Sequence, residues 1–345
     1  GFVRCGGEAP PVAFGDSPLL VEGAFGRTFP PSPSRRTQKE WKYSSICDNI
    51  KQYVTMGAGK LAPQIGGLHM TYGQAILLGL VQGVAEFLPI SSSGHLAALQ
   101  NFLAIGDMEN HLLFDVLLHL GTLAAVFLAY WAEIRALWGE GLRMVHLKKT
   151  RRGEKPDGVK RRLICFLIVA TVPLAFAAVL SNYVESLYQN TFFIGFAFLM
   201  TGVLLFAADR MGHGNKSERG ATLGDAVMVG LAQAVAVVPG LSRSGTTISA
   251  GLLRGFDRNF AVKFSFLLSI PAVIGANLVS LVKALAAGVD WSMVPKYLVG
   301  VVVAFVSGYF AIYLLRMIVQ RGKFGGFAYY CWGAGLVTLI LSLTV

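Results

Sequence analysis

The sequence predicts an all-α integral membrane protein that contains an inverted-topology repeat, with six transmembrane helices and two re-entrant helical hairpins. Of the 345 residues, 54% are hydrophobic and only 14% are charged, whereas about 25% are charged in a typical soluble domain. Uncharged runs of roughly twenty residues recur along the chain, which is the length that crosses a bilayer. Two apolar segments of similar sequence are each broken by Pro, Gly and Ser. This composition excludes a disordered chain and argues against an ordinary cytosolic enzyme.

Residues 1–69 differ from the rest of the sequence. They hold seven of the 13 prolines and contain no long apolar run. Two interpretations fit: a non-homologous, disordered N-terminal extension, or residues foreign to the native protein with Met70 as its start, and we favour the second. We assign this segment no function. A sustained apolar pattern begins at Met70, so residues 70–345 are the predicted membrane domain, with repeat 1 at 70–208 and repeat 2 at 221–345.

Eight apolar regions follow Met70. Six of them are continuous and long enough to cross about 30 Å of hydrocarbon at about 1.5 Å per residue, namely 112–131, 163–180, 191–208, 260–282, 296–316 and 327–345. The other two, 72–104 and 222–255, are interrupted near their centres by Pro, Gly and Ser. A broken helix cannot face lipid, because its free backbone groups would have no hydrogen-bond partner there. We therefore predict that both form re-entrant helix–turn–helix hairpins buried in protein.

Lysine and arginine predict the orientation. The predicted loop 132–162 holds ten of them against four acidic residues, whereas 105–111 and 181–190 hold none. The positive-inside rule places the basic loop in the cytoplasm and both ends of the membrane domain outside. We interpret the net charge of +11 mainly as this asymmetry, with no nucleic-acid partner. A specific lipid or nucleic-acid partner for the basic loop remains the alternative. The four cysteines form no CxxC pair, so neither a zinc site nor a disulfide framework is predicted.

The two broken segments are copies of one another. Gly73–His95 aligns with Gly224–Thr246, and ten of the 23 positions are identical: Gly73, Ala75, Gly79, Leu80, Gln82, Val84, Ala85, Ser91, Ser93 and Gly94. Each copy precedes three spans, and three is an odd number, so the second half enters the membrane from the opposite side. Inverted repeats of this kind bring their broken helices together near the midplane.

The differences between the copies predict one composite site. Glu86 aligns with Val237, Ser92 with Arg243 and His95 with Thr246, so the acid and the imidazole come from one copy and the guanidinium from the other. Gln82 and Glu86 are four residues apart and share a helix face. We expect Pro89 to end the first half-helix and Gly94 to begin the second. Two helix N-termini would then face a common anion.

These groups suit phosphoryl transfer, which depends on positioning and charge neutralisation. An arginine fork can hold phosphate, and a serine hydroxyl can attack phosphorus when a base activates it. The alternatives are a structural ion pair between Glu86 and Arg243, serines that merely bond to the backbone, and a packed core His95. Asp115 and His119 could support the site or could simply be a helix-end acid and a packed histidine. An inverted-repeat transporter or flippase of a polyprenyl phosphate is the competing function.

Two motifs carry a resemblance to a known family. QGVAEFLPISSSGH (82–95) and PGLSRSGTT (239–247) resemble the two signature motifs of the bacitracin-resistance family of undecaprenyl-diphosphate phosphatases. FDVLLHLGTLAAV (114–126) and FSFLLSIPA (264–272) are also similar to it, and the resemblance covers residues 70–345. It implies a multi-pass enzyme of the bacterial inner (plasma) membrane. Such an enzyme hydrolyses a C55 polyprenyl diphosphate at the outer face, recycles the lipid carrier for peptidoglycan and confers bacitracin resistance.

The resemblance also implies roles for single residues. It assigns catalysis to Glu86, Ser92, His95 and Arg243, and a divalent cation, Mg²⁺ or Ca²⁺, to Glu86. Residues that would bind the substrate are Gln82, Ser91, Ser93, Ser242, Ser244 and Thr247. We favour Ser92 as the nucleophile, although the motif alone leaves His95 open. The implied partners are the lipid diphosphate and the bilayer, and a homodimer stays a candidate.

Overall fold

The computed structural model describes residues 70–103, 108–145, 156–177, 184, 187–188, 190–287 and 290–343. Residues 1–69, with the predictions made for them, lie outside the described part. Within these ranges the regular structure is helical, apart from one isolated bridge between Lys216 and Phe256. The predicted all-α class is therefore confirmed for the residues described.

Eleven α-helices occur in the described part of the chain. In order they are α1 Tyr72–Phe87, α2 Ser92–Leu103, α3 Met108–Ala129, α4 Trp131–Met144, α5 Gly158–Ala177, α6 Thr191–Met211, α7 Leu223–Val235, α8 Arg243–Leu253, α9 Arg258–Ala287, α10 Val294–Gln320 and α11 Gly326–Ser342. A short 3₁₀ turn, Trp291–Met293, precedes α10. Each predicted continuous span coincides with one helix, and each broken segment forms a pair of helices.

Several helices are suited to a bilayer. α6, α9 and α10 with its 3₁₀ turn are long and apolar enough to cross a membrane, and α3 with α4 adds a fourth candidate that is bent by 85°. α7 and α11 are shorter apolar helices. Large side chains are exposed on the outward faces of α5, α10 and α11, for example Phe176, Phe310 and Ile340, as on lipid-facing surfaces. The chain is a multi-pass helical membrane protein.

The basic region after α3 is not the plain loop that the sequence predicts. Its first part is the helix α4, which turns away from α3 at Tyr130. Glu140 of α4 is buried and accepts hydrogen bonds from Arg161 Nε at 2.8 Å and Arg143 Nη1 at 3.2 Å. The prediction was wrong here because charges interleaved at helical spacing with apolar residues hide an amphipathic helix from a search for continuous apolar runs.

α1 and α10 pack closely because small residues line their contact. Gly79 and Gly83 lie one turn apart on α1, and a Cβ atom on Gly79 would collide with the Gly300 carbonyl. A Cβ on Gly83 would lie 2.6 Å from the Ala304 carbonyl oxygen and 2.9 Å from the Gly308 nitrogen. Membrane helices associate through such close backbone contact, since no hydrophobic force drives them together inside lipid.

Replacing Gly83 by valine should therefore destabilise the protein. A valine side chain must push α1 away from α10, and overpacking of this kind costs about 1–3 kcal/mol. The thermal midpoint of the purified protein in detergent measures the effect. Gly333→Val in α11 is the control, because a Cβ there meets nothing within 4 Å. Equal midpoints for the two variants would contradict a glycine-dependent contact.

Both hairpins break where the sequence predicts. α1 ends at Phe87 and α2 begins at Ser92, and α7 ends at Val235 with α8 beginning at Arg243. One detail is wrong: the second half-helix begins two residues before Gly94. The reason is the Ser91 hydroxyl, which accepts a hydrogen bond from the Gly94 N–H at 3.3 Å and so caps a helix that starts at Ser92.

Candidate functional site

The two helix breaks pack against each other. A Cβ atom on Gly94 would lie 3.0 Å from Gly240 Cα, and one on Gly245 would lie 3.1 Å from Pro89 Cβ. The start of each second half-helix therefore abuts the turn of the other hairpin. The Ser244 hydroxyl adds a hydrogen bond to the Leu88 carbonyl oxygen at 3.3 Å. The meeting of the breaks that the internal repeat predicts is confirmed by these contacts.

The same serine cap occurs in both hairpins. Ser242 Oγ accepts from the Gly245 N–H at 3.0 Å, as Ser91 does for Gly94 in the first copy. The capping hydroxyl also lies 3.4 Å from Ser93 Oγ in one copy and 3.3 Å from that of Ser244 in the other. Two capped helix N-termini thus lie side by side. The positive ends of their dipoles favour a negatively charged ligand.

The turn before α2 is strained. Ser91 has a φ of 70°, a left-handed conformation that costs a non-glycine residue roughly 1–2 kcal/mol. Its carbonyl oxygen receives hydrogen bonds from the His95 backbone N–H at 3.2 Å and from His95 Nδ1 at 2.7 Å. These bonds hold the strained turn in place, and the turn directs the next residue, Ser92, toward Glu86.

Glu86 is the centre of the polar network. Its Oε2 atom accepts hydrogen bonds from Ser92 Oγ at 2.6 Å and from Gln82 Nε2 at 3.2 Å, while Oε1 forms an ion pair with Arg243. His119 Nε2 lies 3.8 Å from Oε2. The Glu86 side chain is only 7% exposed. A buried carboxylate is tolerated when charged and polar donors surround it in this way.

These side chains line a cavity of about 310 Å³. Its polar lining includes Glu86, Ser91, Ser92, Ser93, Asp115, His119, Gln233, Ser242, Arg243, Asn277 and Ser280. The remaining wall is apolar and includes Leu174, Val237 and Ala272. Polar groups from both hairpins thus share one cavity with aliphatic side chains. Such a site suits an anionic head group attached to a hydrocarbon tail.

Three of the predicted substrate-binding residues lie behind this lining. Gln82 donates to Glu86, and Ser244 bonds to Ser242 and the Leu88 carbonyl. Thr247 donates from Oγ1 to the Arg243 carbonyl oxygen at 2.9 Å and lies 2.6 Å from Ser265 Oγ. In this conformation they hold the residues that face the cavity.

The two histidines occupy different places. His95 lies outside the residues that line the cavity: its Nε2 is 2.8 Å from the Tyr330 hydroxyl, and its ring stacks on Tyr330. His119 lines the cavity, and its Nδ1 lies 2.8 Å from the Asp115 carbonyl oxygen. The other ring nitrogen, Nε2, is the one that faces Glu86. The sequence left Asp115 and His119 undecided, and the structure places both at the site.

The polar residues of the cavity that sequence reasoning missed include Gln233, Asn277 and Ser280. Gln233 carried a signal, since it aligns with Gln82 in the repeat. The other two lie on α9, outside both motifs. A polar residue within an apolar span has no sequence partner that reveals which way it faces.

A divalent cation would depend on few protein ligands. Within the described ranges, no group of three His, Cys, Asp or Glu side chains is placed to hold a metal ion. Mg²⁺ is commonly bound by only one or two carboxylates together with substrate phosphate oxygens. The carboxylates of Glu86 and Asp115 both line the cavity, so the donor set fits a cation of that kind.

The fold and the site define a multi-pass helical membrane protein with a buried polar cavity suited to an anion, in which a serine hydroxyl is hydrogen-bonded to a carboxylate. Residues 75–337 match the family model described as bacitracin resistance protein BacA. The chain belongs to this family.

The relatives are similar to this chain over most of its length. It is 40% identical over 276 residues to an undecaprenyl-diphosphatase of Alkaliphilus metalliredigens, covering 79% of this chain and 100% of the relative. The protein of the same name from Halothermothrix orenii is 38% identical over 78% of this chain and 97% of its own length. That from Methanobrevibacter smithii is 41% identical over 79% and 98%.

Proposed function

We propose that this protein hydrolyses undecaprenyl diphosphate to undecaprenyl phosphate and inorganic phosphate. The main evidence is the hydrogen bond of 2.6 Å that the Ser92 hydroxyl donates to Glu86. It lies inside a cavity that also contains Arg243 and two helix N-termini. A transporter of a lipid phosphate would need an anion site but no nucleophile bonded to a base. The shared family and the names of the relatives support the same reaction.

In the proposed first step, Ser92 Oγ attacks the terminal phosphorus and passes its proton to Glu86. The bond between that phosphorus and the bridging oxygen breaks, and the polyprenyl monophosphate leaves. Glu86 passes the first proton to the leaving monophosphate. Water then attacks the phosphoserine and gives a proton to Glu86, which returns it to Ser92 Oγ as inorganic phosphate is released. A general base within hydrogen-bond reach of its nucleophile is what this chemistry requires.

The other residues bind and position. Arg243 releases part of its contact with Glu86 and takes phosphoryl oxygens, helped by the hydroxyls of Ser91, Ser93 and Ser242 at the helix N-termini. His119 lies beside Glu86 and supports this side chain as it gains and loses a proton. His95, which bonds to the Ser91 carbonyl, holds the turn that presents Ser92, so the geometry favours serine over His95 as the nucleophile.

A divalent cation, Mg²⁺ or Ca²⁺, completes the proposed site. Glu86, with Asp115 nearby, would hold it together with oxygens of the diphosphate, and its charge would neutralise the leaving and attacked phosphoryl groups. The protein's own side chains keep the roles given to them in the two steps of the reaction.

We further propose six transmembrane helices, two re-entrant hairpins and inverted topology, in the bacterial inner (plasma) membrane, with the site open to the outer face. The packed helix breaks and the basic residues between α3 and α5 support this orientation. In that position the enzyme recycles the lipid carrier for peptidoglycan synthesis and protects against bacitracin.

Phosphate release by the purified protein in detergent tests the proposal. Both farnesyl diphosphate and the C55 diphosphate should yield one inorganic phosphate per monophosphate, and EDTA should suppress release until Mg²⁺ or Ca²⁺ is restored. Ser92→Ala protein, purified in parallel, controls for contaminating phosphatases. Release that does not exceed this control would overturn the proposed function.

A further inference from the structure

Gln233 is a buried amide with no hydrogen-bond partner in the part of the chain that the structure describes. It lies on α7, is 1% exposed, and lines the cavity beside Arg243. Among the described residues, neither its Nε2 nor its Oε1 atom has a hydrogen-bond partner. A buried amide with no hydrogen bond is energetically unfavourable. Gln233 therefore has unused hydrogen-bonding capacity inside the site.

The internal repeat shows why the Gln233 amide has no carboxylate partner like that of Gln82. Gln233 occupies in the second hairpin the position that Gln82 occupies in the first. Gln82 donates to the carboxylate of Glu86, four residues later. Four residues after Gln233 stands Val237, so the same amide in the second copy has no carboxylate to bind.

A second amide faces the same cavity from α9. Asn277 is 8% exposed, lines the cavity, and its Nδ2 donor has no partner within the described ranges. The guanidinium of Arg243 is already paired with Glu86, and His119 also lies beside that carboxylate. A diphosphate brings several acceptor oxygens, more than one arginine fork can satisfy.

We infer that the Gln233 amide donates a hydrogen bond to a phosphoryl oxygen of the bound diphosphate, with Asn277 as a second neutral donor. The inference rests on the proposed function and extends it to residues outside both motifs. Neutral amides suit this task because they add donors to the site without repelling the divalent cation that accompanies the substrate. They are substrate-binding residues in the second hairpin and in α9.

The test replaces Gln233 by methionine, which keeps the length of the side chain and removes both amide atoms. The readouts are the KM for farnesyl diphosphate, the Kd of the uncleavable farnesyl methylenediphosphonate, and the thermal midpoint. We expect KM and Kd to rise about tenfold or more, as for one lost hydrogen bond to a charged group. The thermal midpoint should stay unchanged or rise, since a buried unpaired amide has been removed.

Ser249→Ala is the matched control. Ser249 is fully buried, and its hydroxyl also lacks a partner among the described residues, but it does not line the cavity. Its variant should keep the wild-type Kd. Gln233→Glu supplies an independent readout: it preserves shape, but its carboxylate repels phosphate, so it should weaken analogue binding more than methionine does.

The outcomes separate cleanly. An unchanged Kd in Gln233→Met, with or without a lowered thermal midpoint, would show that the amide contributes only to packing and would overturn the inference. If the wild-type protein releases phosphate and the Gln233→Met variant binds the analogue with the wild-type Kd, only this inference is refuted. A wild-type protein that releases no phosphate refutes the proposed function instead. If the methionine variant does not fold, a Gln233→Glu variant that binds the analogue as tightly as wild type is equally contradictory.

Discussion

Replacing Arg243 by lysine should lower kcat/KM for the diphosphate by about 10²-fold or more. The guanidinium can hold two phosphoryl oxygens at once, whereas lysine offers a point charge on a flexible stem. Losing one preorganised donor to a developing charge costs about 3 kcal/mol, which is this factor in rate. Binding of an uncleavable diphosphate should weaken as well, because the ground-state phosphate meets the same fork.

Arg254→Lys provides the control for that measurement. Arg254 is also paired with a buried carboxylate, Asp225 at 2.9 Å, but it does not line the cavity. Steady-state kinetics on both variants should leave Arg254→Lys close to wild type. A near-wild-type Arg243→Lys, or equal losses in the two, would mean that phosphate is held elsewhere.

Replacing Ser92 by alanine should lower kcat by about 10⁴-fold or more, because it removes the hydroxyl that is hydrogen-bonded to Glu86. The Kd of farnesyl methylenediphosphonate should change little, since the hydroxyl acts in the chemical step. Ser269→Ala is the control: Ser269 is also buried and donates to the Phe266 carbonyl at 2.7 Å, and it does not line the cavity. Single-turnover phosphate release measures both.

A double variant tests whether Ser92 and Glu86 act together. Ser92→Ala combined with Glu86→Gln should cost little more than the worse single change, as for groups that form one catalytic unit. The 2.6 Å hydrogen bond between them is the reason for this expectation. Losses that multiply would indicate that the two side chains act in separate steps, with another base for Ser92.

The linear pattern was sufficient for the helices and for the composite nature of the site. Six apolar runs and two broken ones predicted the positions of the helices, and the repeat of Gly73–His95 predicted that the breaks would meet. The amphipathic α4 was missed, because charged residues interrupt its apolar residues at helical spacing and leave no continuous apolar run. The start of α2 was misplaced by two residues, because the Ser91 hydroxyl caps a helix that begins at Ser92.

The sequence by itself determined that the chain is a helical membrane protein and that an acid, a serine and an arginine from two copies would converge. Span length, charge asymmetry and internal repetition are properties of the order of residues, so they can be recognised without knowledge of tertiary contacts. Only the tertiary structure decided which groups share the cavity. In it, Ser92 donates a hydrogen bond to Glu86, His119 rather than His95 lines the cavity, and Gln233 has no hydrogen-bond partner among the described residues. The physical reason is that the direction of a side chain on a buried helix depends on the helices packed around it, and those contacts join residues far apart in the chain.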